Sequence, residues 1–216
     1  MRTIAIVLMS LVFLAARDAR AQTTIGVAAG ASRQAAGASD LPSLGPPFGG
    51  TSAAVIGLID FRLAGNVTLG GEGSLATGIS GDQSQRASPT TNAFTSRHSD
   101  GVFSGVLKVG TPIERRLHAA AAVGAGAAWR RTRREGTTAS IFPPSSRSPF
   151  STTVTDVVFA YSFGADVDVR VSTRLRILGV VRWHRLRDDD LDANGVVKRG
   201  VASNIFRAGA GATIRF

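Results

Sequence analysis

Acid–base catalysis needs a carboxylate and an imidazole within hydrogen-bond reach. This chain of 216 residues carries three histidines, His98, His118 and His184, with Asp166 and Asp168 upstream of the last. On the strand reading set out below, Asp166 and Asp168 fall beside a short turn at 171–173, whereas His184 approaches the far end of the next strand. That separation argues against a catalytic pair. His98 and His118 stand apart, and the sequence has no Cys and no paired-His spacing for a metal. The run Asp188-Asp189-Asp190-Leu191-Asp192 lacks the spaced carboxylates and closing Glu of a calcium loop, and reads as a solvated acidic loop. No catalytic residue, metal ligand or cofactor site emerges, and the expectation is a protein that is not an enzyme. The remaining constellation is basic: Arg130, Arg131, Arg133 and Arg134 fall within five residues. Guanidinium groups bind phosphate bidentately, so these four are the candidate contact to a phosphorylated lipid, with plain solvated charge as the alternative.

Which solvent surrounds these groups depends on where the chain travels. Arg2, an apolar run from Ile4 to Ala16 and the small-x-small triplet Ala19-Arg20-Ala21 have the form of a secretory signal peptide. The apolar run is too short to anchor as a membrane helix. The expected boundaries are a leader over 1–21 and one domain over 22–216. The formal charge is +10; the leader holds Arg2, Arg17 and Arg20 against Asp18, a net +2, which leaves +8 on the rest. A basic charge of that size points toward nucleic acid in the cytosol, but toward anionic lipid or polysaccharide for an exported chain, and no nucleic-acid partner is expected. Without Cys, no disulfide and no lipidated N-terminus are available.

Alternation with period two dominates the remainder. In SNIFRAGAGATIRF, Phe206, Ala208, Ala210, Ala212, Ile214 and Phe216 share one face, and Arg207, Gly209, Gly211, Thr213 and Arg215 the other. Seven further strands are predicted around 22–32, 53–63, 67–77, 100–109, 117–130, 153–170 and 174–187. The clearest sets Val157, Phe159, Tyr161, Phe163, Val167 and Val169 against Asp156, Ser162, Asp166 and Asp168. The polar face collects Asp60, Arg62, Glu72, Lys108, Asp166, Asp168, Arg176, Arg182, His184, Arg207 and Arg215. Short turns at Ala64-Gly65-Asn66, Thr111-Pro112 and 171–173 alternate with long polar stretches near 33–52, 78–98, 131–152 and 188–199. Apolar Ile141, Phe142 and Phe150 in one of these stretches suit either an adhesive tip or packing on the rim.

Greasy and polar faces, strands of about ten residues, and short turns alternating with long loops describe an up-and-down barrel in an outer membrane. Closure follows, because lipid leaves an open sheet edge unsatisfied. The expected fold is all-β: a closed antiparallel transmembrane β-barrel of eight strands. The sequence resembles the small outer-membrane barrels typified by the membrane domain of OmpA and by OmpX. In that superfamily a terminal aromatic preceded by apolar residues at alternate positions is read by the barrel-assembly machinery. Phe216, Ile214, Ala212 and Ala210 match, with Ala where bulkier residues are common. The resemblance implies a monomer in the cell outer membrane, in contact with lipid and lipopolysaccharide. The expected role is structural or surface-interacting, with an interior filled by paired charges. A narrow porin-like channel and a secreted soluble barrel around an apolar ligand are the alternatives; inward Asp, Glu, Lys and Arg oppose the last.

Overall fold

A computed structural model describes residues 22–34, 50–87, 90–140, 147–187 and 204–216. The leader region, the Asp188–Asp192 run and Ile141 and Phe142 lie outside the described residues. Eight strands follow in chain order: β1 (Thr23–Gln34), β2 (Gly50–Ala64), β3 (Val67–Ala87), β4 (Thr90–Gly110), β5 (Leu117–Ser140), β6 (Arg147–Arg170), β7 (Leu175–Arg187) and β8 (Asn204–Arg215). Each pairs antiparallel with its neighbours, and β8 closes on β1, from Thr24 opposite Arg215 to Gln34 opposite Ile205. The Phe216 amide extends that seam by donating to the Thr23 carbonyl at 2.9 Å.

Alternation puts the branched and aromatic residues outside. Val27, Val55, Phe61, Leu75, Phe103, Leu107, Val123, Phe163, Ile177 and Ile214 all expose their side chains on the outer wall. An apolar outer wall on a closed barrel is the arrangement that hydrocarbon demands, since every backbone group in the wall is paired and no edge is left. Along β5 the outward apolar run lasts from Leu117 to Trp129. At about 3.3 Å per residue and a tilt near 40° that run is about 30 Å high, which matches a hydrocarbon core. The chain is therefore a transmembrane β-barrel of the outer-membrane type. Among the described residues no helix is long and apolar enough to cross a membrane.

Close strand approach requires small residues at particular points. A Cβ at Gly211 would run into the Val27 carbonyl across the closing seam, and one at Gly126 into the Phe103 carbonyl. Gly78 has a different task. It adopts φ +87° where β3 slips register against β4 between Ala76 and Ile79. Such a bulge reverses which residues face inward. Before it Ser74 and Ala76 are buried; after it Ile79 is buried.

Above this bulge the architecture departs from the sequence expectation. The polar stretches near 78–98 and 131–152 read as loops, yet β3 and β4 continue to Ala87 and Thr90, and β5 and β6 to Ser140 and Arg147. The two hairpins pair through β4 and β5, from Thr90 opposite Ser140 downward, and form a four-stranded ribbon beyond the barrel. Outside lipid neither face need be apolar, so Ser, Thr and Arg occupy strands without a greasy stripe. Phe150, expected in a loop, lies on β6 with its ring 6.2 Å from that of Phe94, edge to face.

Candidate functional site

The interior is cross-braced by charges. In an eight-stranded ring, strands four apart in order stand on opposite walls. β7 faces β3, and Arg182 on β7 places Nε and Nη2 at 2.8 and 2.7 Å from Oε2 of Glu72 on β3. The same guanidinium lies 2.6 Å from Oδ1 of Asp166 on β6. Asp166 in turn is 2.7 Å from Nζ of Lys108 on β4, which donates to Asp60 on β2 at 2.7 Å. One chain of five side chains thus links Asp60, Lys108, Asp166, Arg182 and Glu72 from wall to wall. A second brace lies nearer the long-loop end. Arg207 on β8 pairs with Asp100 on the opposing β4 and donates to the hydroxyls of Ser74 and Ser32.

Burial makes the pairing obligatory. Arg182 and Arg207 are 1% and 0% exposed. An unpaired ion at such depth costs several kcal/mol, and each of these has a carboxylate within contact. Space for their long side chains comes from the remaining opposed pair of walls. The inward positions of β1 include Gly26, Ala28 and Gly30, and those of β5 include Ala120, Ala122, Gly124, Gly126 and Ala128.

The expectation of a wholly polar filling is corrected in one respect. Two apolar clusters share the bore with the ion pairs: Ala28, Ile56, Leu58, Leu178 and Val180 at one level, and Val102, Ala128, Ala160, Leu186 and Ile205, with Val158 against them, at another. Volume that no paired charge can occupy is more cheaply filled by side chains without polar atoms.

At the short-turn end the 111–116 turn folds against the mouth. Arg176 donates to the carbonyls of Ile113 and Arg115 at 2.8 and 3.1 Å, and Arg62 donates to the Gln22 side chain at 3.1 Å and pairs with Glu114. Glu114, outside the membrane span, is held below the usual carboxylate range, first by a backbone N–H hydrogen bond and then by Arg62. Beneath the turn a cavity of about 20 Å³ remains, bordered by Asp60, Lys108, Ile113, His118, Asp168 and Thr213. That is room for a water molecule.

The predicted inward residues Asp60, Glu72, Lys108, Asp166, Asp168, Arg176, Arg182, His184 and Arg207 all turn into the bore, while Arg62 and Arg215 sit half-buried at its base. Asp166 and His184 are not brought together: Asp166 stands opposite Val180 and His184 opposite Ser162. Asp166 is engaged by Lys108 and Arg182, and among the described residues no group of His, Asp and Glu could hold a metal ion. His118 shares a 3.3 Å contact with the Thr111 hydroxyl, and His98 lies buried on the inner face of β4. Asp100 was not among the predicted inward residues, although its even spacing from Ser104 and Lys108 carries the signal.

The arginine cluster is placed differently from the sequence expectation. Its residues belong to β5 itself, so they alternate between faces. Arg131 and Arg133 are exposed on the outer face, while Arg130 turns inward opposite Asp100 and Asp156. Arg134 lies on the same strand, with its side chain outside the described residues.

No protein-family model matches the chain, and no curated protein does. Solved barrels are similar in architecture. Ail of Yersinia pestis, in a complex with the heparin analogue sucrose octasulfate, is 12% identical with a TM-score of 0.44, over 92% of this chain and 100% of that one. Neisserial surface protein A is 10% identical with a TM-score of 0.49, over 90% and 97%. The N-terminal β-barrel domain of Pseudomonas aeruginosa OprF is 13% identical with a TM-score of 0.38, over 91% and 100%.

Proposed function

We propose that the protein is a non-enzymatic outer-membrane barrel whose bore is closed and whose role is structural or surface-interacting. One observation carries this reading: opposite walls are tied across the bore at two levels, by Arg182 to Glu72 and by Arg207 to Asp100. A lumen of eight strands is just wide enough to be filled by side chains. Here long guanidiniums, a lysine and two apolar clusters fill it. The strands that outlast the membrane then have a separate use, to raise a rigid polar ribbon above the outer leaflet where loops alone would flex. On this reading the protein is a monomer that meets outer-leaflet lipid and lipopolysaccharide along its wall. It meets the assembly machinery through the last strand, ending at Phe216.

The test is planar-bilayer recording of the purified, folded chain. No stable conductance steps are expected. Reproducible single-channel steps would overturn the closed bore and favour a small porin-like channel.

A further inference from the structure

We infer that the outer face of β4, β5 and β6, immediately above the apolar band, is a binding site for the phosphate of an anionic lipid headgroup. Register assembles it. One row across the three strands reads Ser99, Arg131, Thr155, and the row above it Arg97, Arg133, Thr153. All six lie on the outward side, and all but the partly buried Ser99 are exposed. Every member is a hydrogen-bond donor and none is a carboxylate. Directly below, the row Gly101, Trp129, Val157 begins the greasy wall, with the Trp129 indole lying over Gly101, where a Cβ would strike it. Two and four residues of strand set Arg131 and Arg133 about 5 and 10 Å above that row, the height of headgroups rather than acyl chains.

The charges themselves point to an anion. Arg97 and Arg133 are direct cross-strand partners, and like charges about 5 Å apart on one face disfavour the pairing. Glu135 pairs with Arg133 from the row above. Among the described residues Arg97 and Arg131 have no carboxylate partner, which leaves two guanidiniums diagonal to each other across the β4–β5 pair, with Ser99 and Thr155 on either side of Arg131. A phosphomonoester takes up such forks and hydroxyls together. The site differs from the four-arginine cluster of the sequence: Arg97 joins it from another strand and Arg130 leaves it for the interior.

The inference rests on the placement of this end in the outer leaflet. The full chain, folded in phosphocholine bicelles, is titrated with bisphosphorylated lipid A, with its dephosphorylated form, and with inorganic phosphate, following Trp129 emission in a Trp183→Phe background. Saturable binding of the phosphorylated lipid alone is expected. The triple variant Arg97→Gln, Arg131→Gln, Arg133→Gln should fold normally and bind at least about tenfold more weakly. Arg115→Gln, Arg116→Gln at the opposite end should change nothing. Undiminished binding by the folded triple variant overturns the site, and equal binding of inorganic phosphate or dephosphorylated lipid overturns the lipid-phosphate assignment. Failure of that outer-leaflet placement is seen separately, as a Thr137→Cys variant, whose cysteine is the chain's sole thiol, that a membrane-impermeant thiol reagent does not label on intact cells, and would overturn the site as well.

Discussion

The bore and the ribbon share strands β3 to β6 but treat charge in opposite ways. In the bore the ion pairs tie separate strands together, and Arg182 reaches Glu72 on the opposite wall, because burial leaves a lone ion poorly solvated. In the ribbon Arg133 pairs with Glu135 two residues along its own strand, both half-exposed. Identical backbone pairing therefore yields a rigid, charge-locked cylinder below and a surface of loosely held charges above. The solvent on each face decides what a given residue contributes, and substitutions of similar chemistry should differ by severalfold in cost between the two regions.

The largest difference is expected at Arg182. Arg182→Ala strands Glu72 and leaves Asp166 with Lys108 alone, and should cost about 3–5 kcal/mol of stability. Reversible urea unfolding from liposomes measures it; a loss below 1 kcal/mol, set against the same chain unsubstituted, would break the contrast with the ribbon. On the lipid side Phe163 lies halfway between Val157 and Val169, at mid-wall, so Phe163→Arg should cost about 2–4 kcal/mol in the same assay. Phe159→Arg, nearer the outer boundary, should cost less, and the reverse order would misplace the membrane.

Where bore gives way to ribbon, Gly78→Val forces a branched residue into φ +87° and should cost about 1–3 kcal/mol. Gly105→Ala, at a strand position where an added Cβ meets nothing within 4 Å, gives the comparison. The smallest effect belongs to the ribbon itself: Glu135→Gln removes an exposed pair and should change stability by less than about 1 kcal/mol, diminishing further in high salt.

The same contrast determines what the residues alone revealed. Within the membrane the two faces differ in solvent, so Val157 to Val169 announce one face and Asp166 and Asp168 the other. The eight strands and their short turns follow from that. Above Trp129 both faces are polar, and 131–140 carries no stripe to mark it as strand. At Gly78 the bulge also exchanges the faces, so an alternation counted from Leu75 would misplace Ile79. Inward residues were legible one by one, but partners were not. Arg207 lies 107 positions from Asp100 in sequence, and only the register of a closed ring brings β8 opposite β4. The outer-face site was concealed by the same fact, since Arg97 and Arg133 meet through pairing of strands in a stretch that reads as loops.

The claim that opposite walls are locked together is tested most directly by a double-mutant cycle on Asp100 and Arg207. Asp100→Leu, Arg207→Met and the double variant are each unfolded reversibly from liposomes. Each single change abandons a buried partner, whereas the double change replaces the pair with apolar volume. The expected result is a double variant more stable than the sum of the singles requires, with a coupling of about 1–3 kcal/mol. Costs that simply add would mean that Arg207 and Asp100 do not brace β8 against β4.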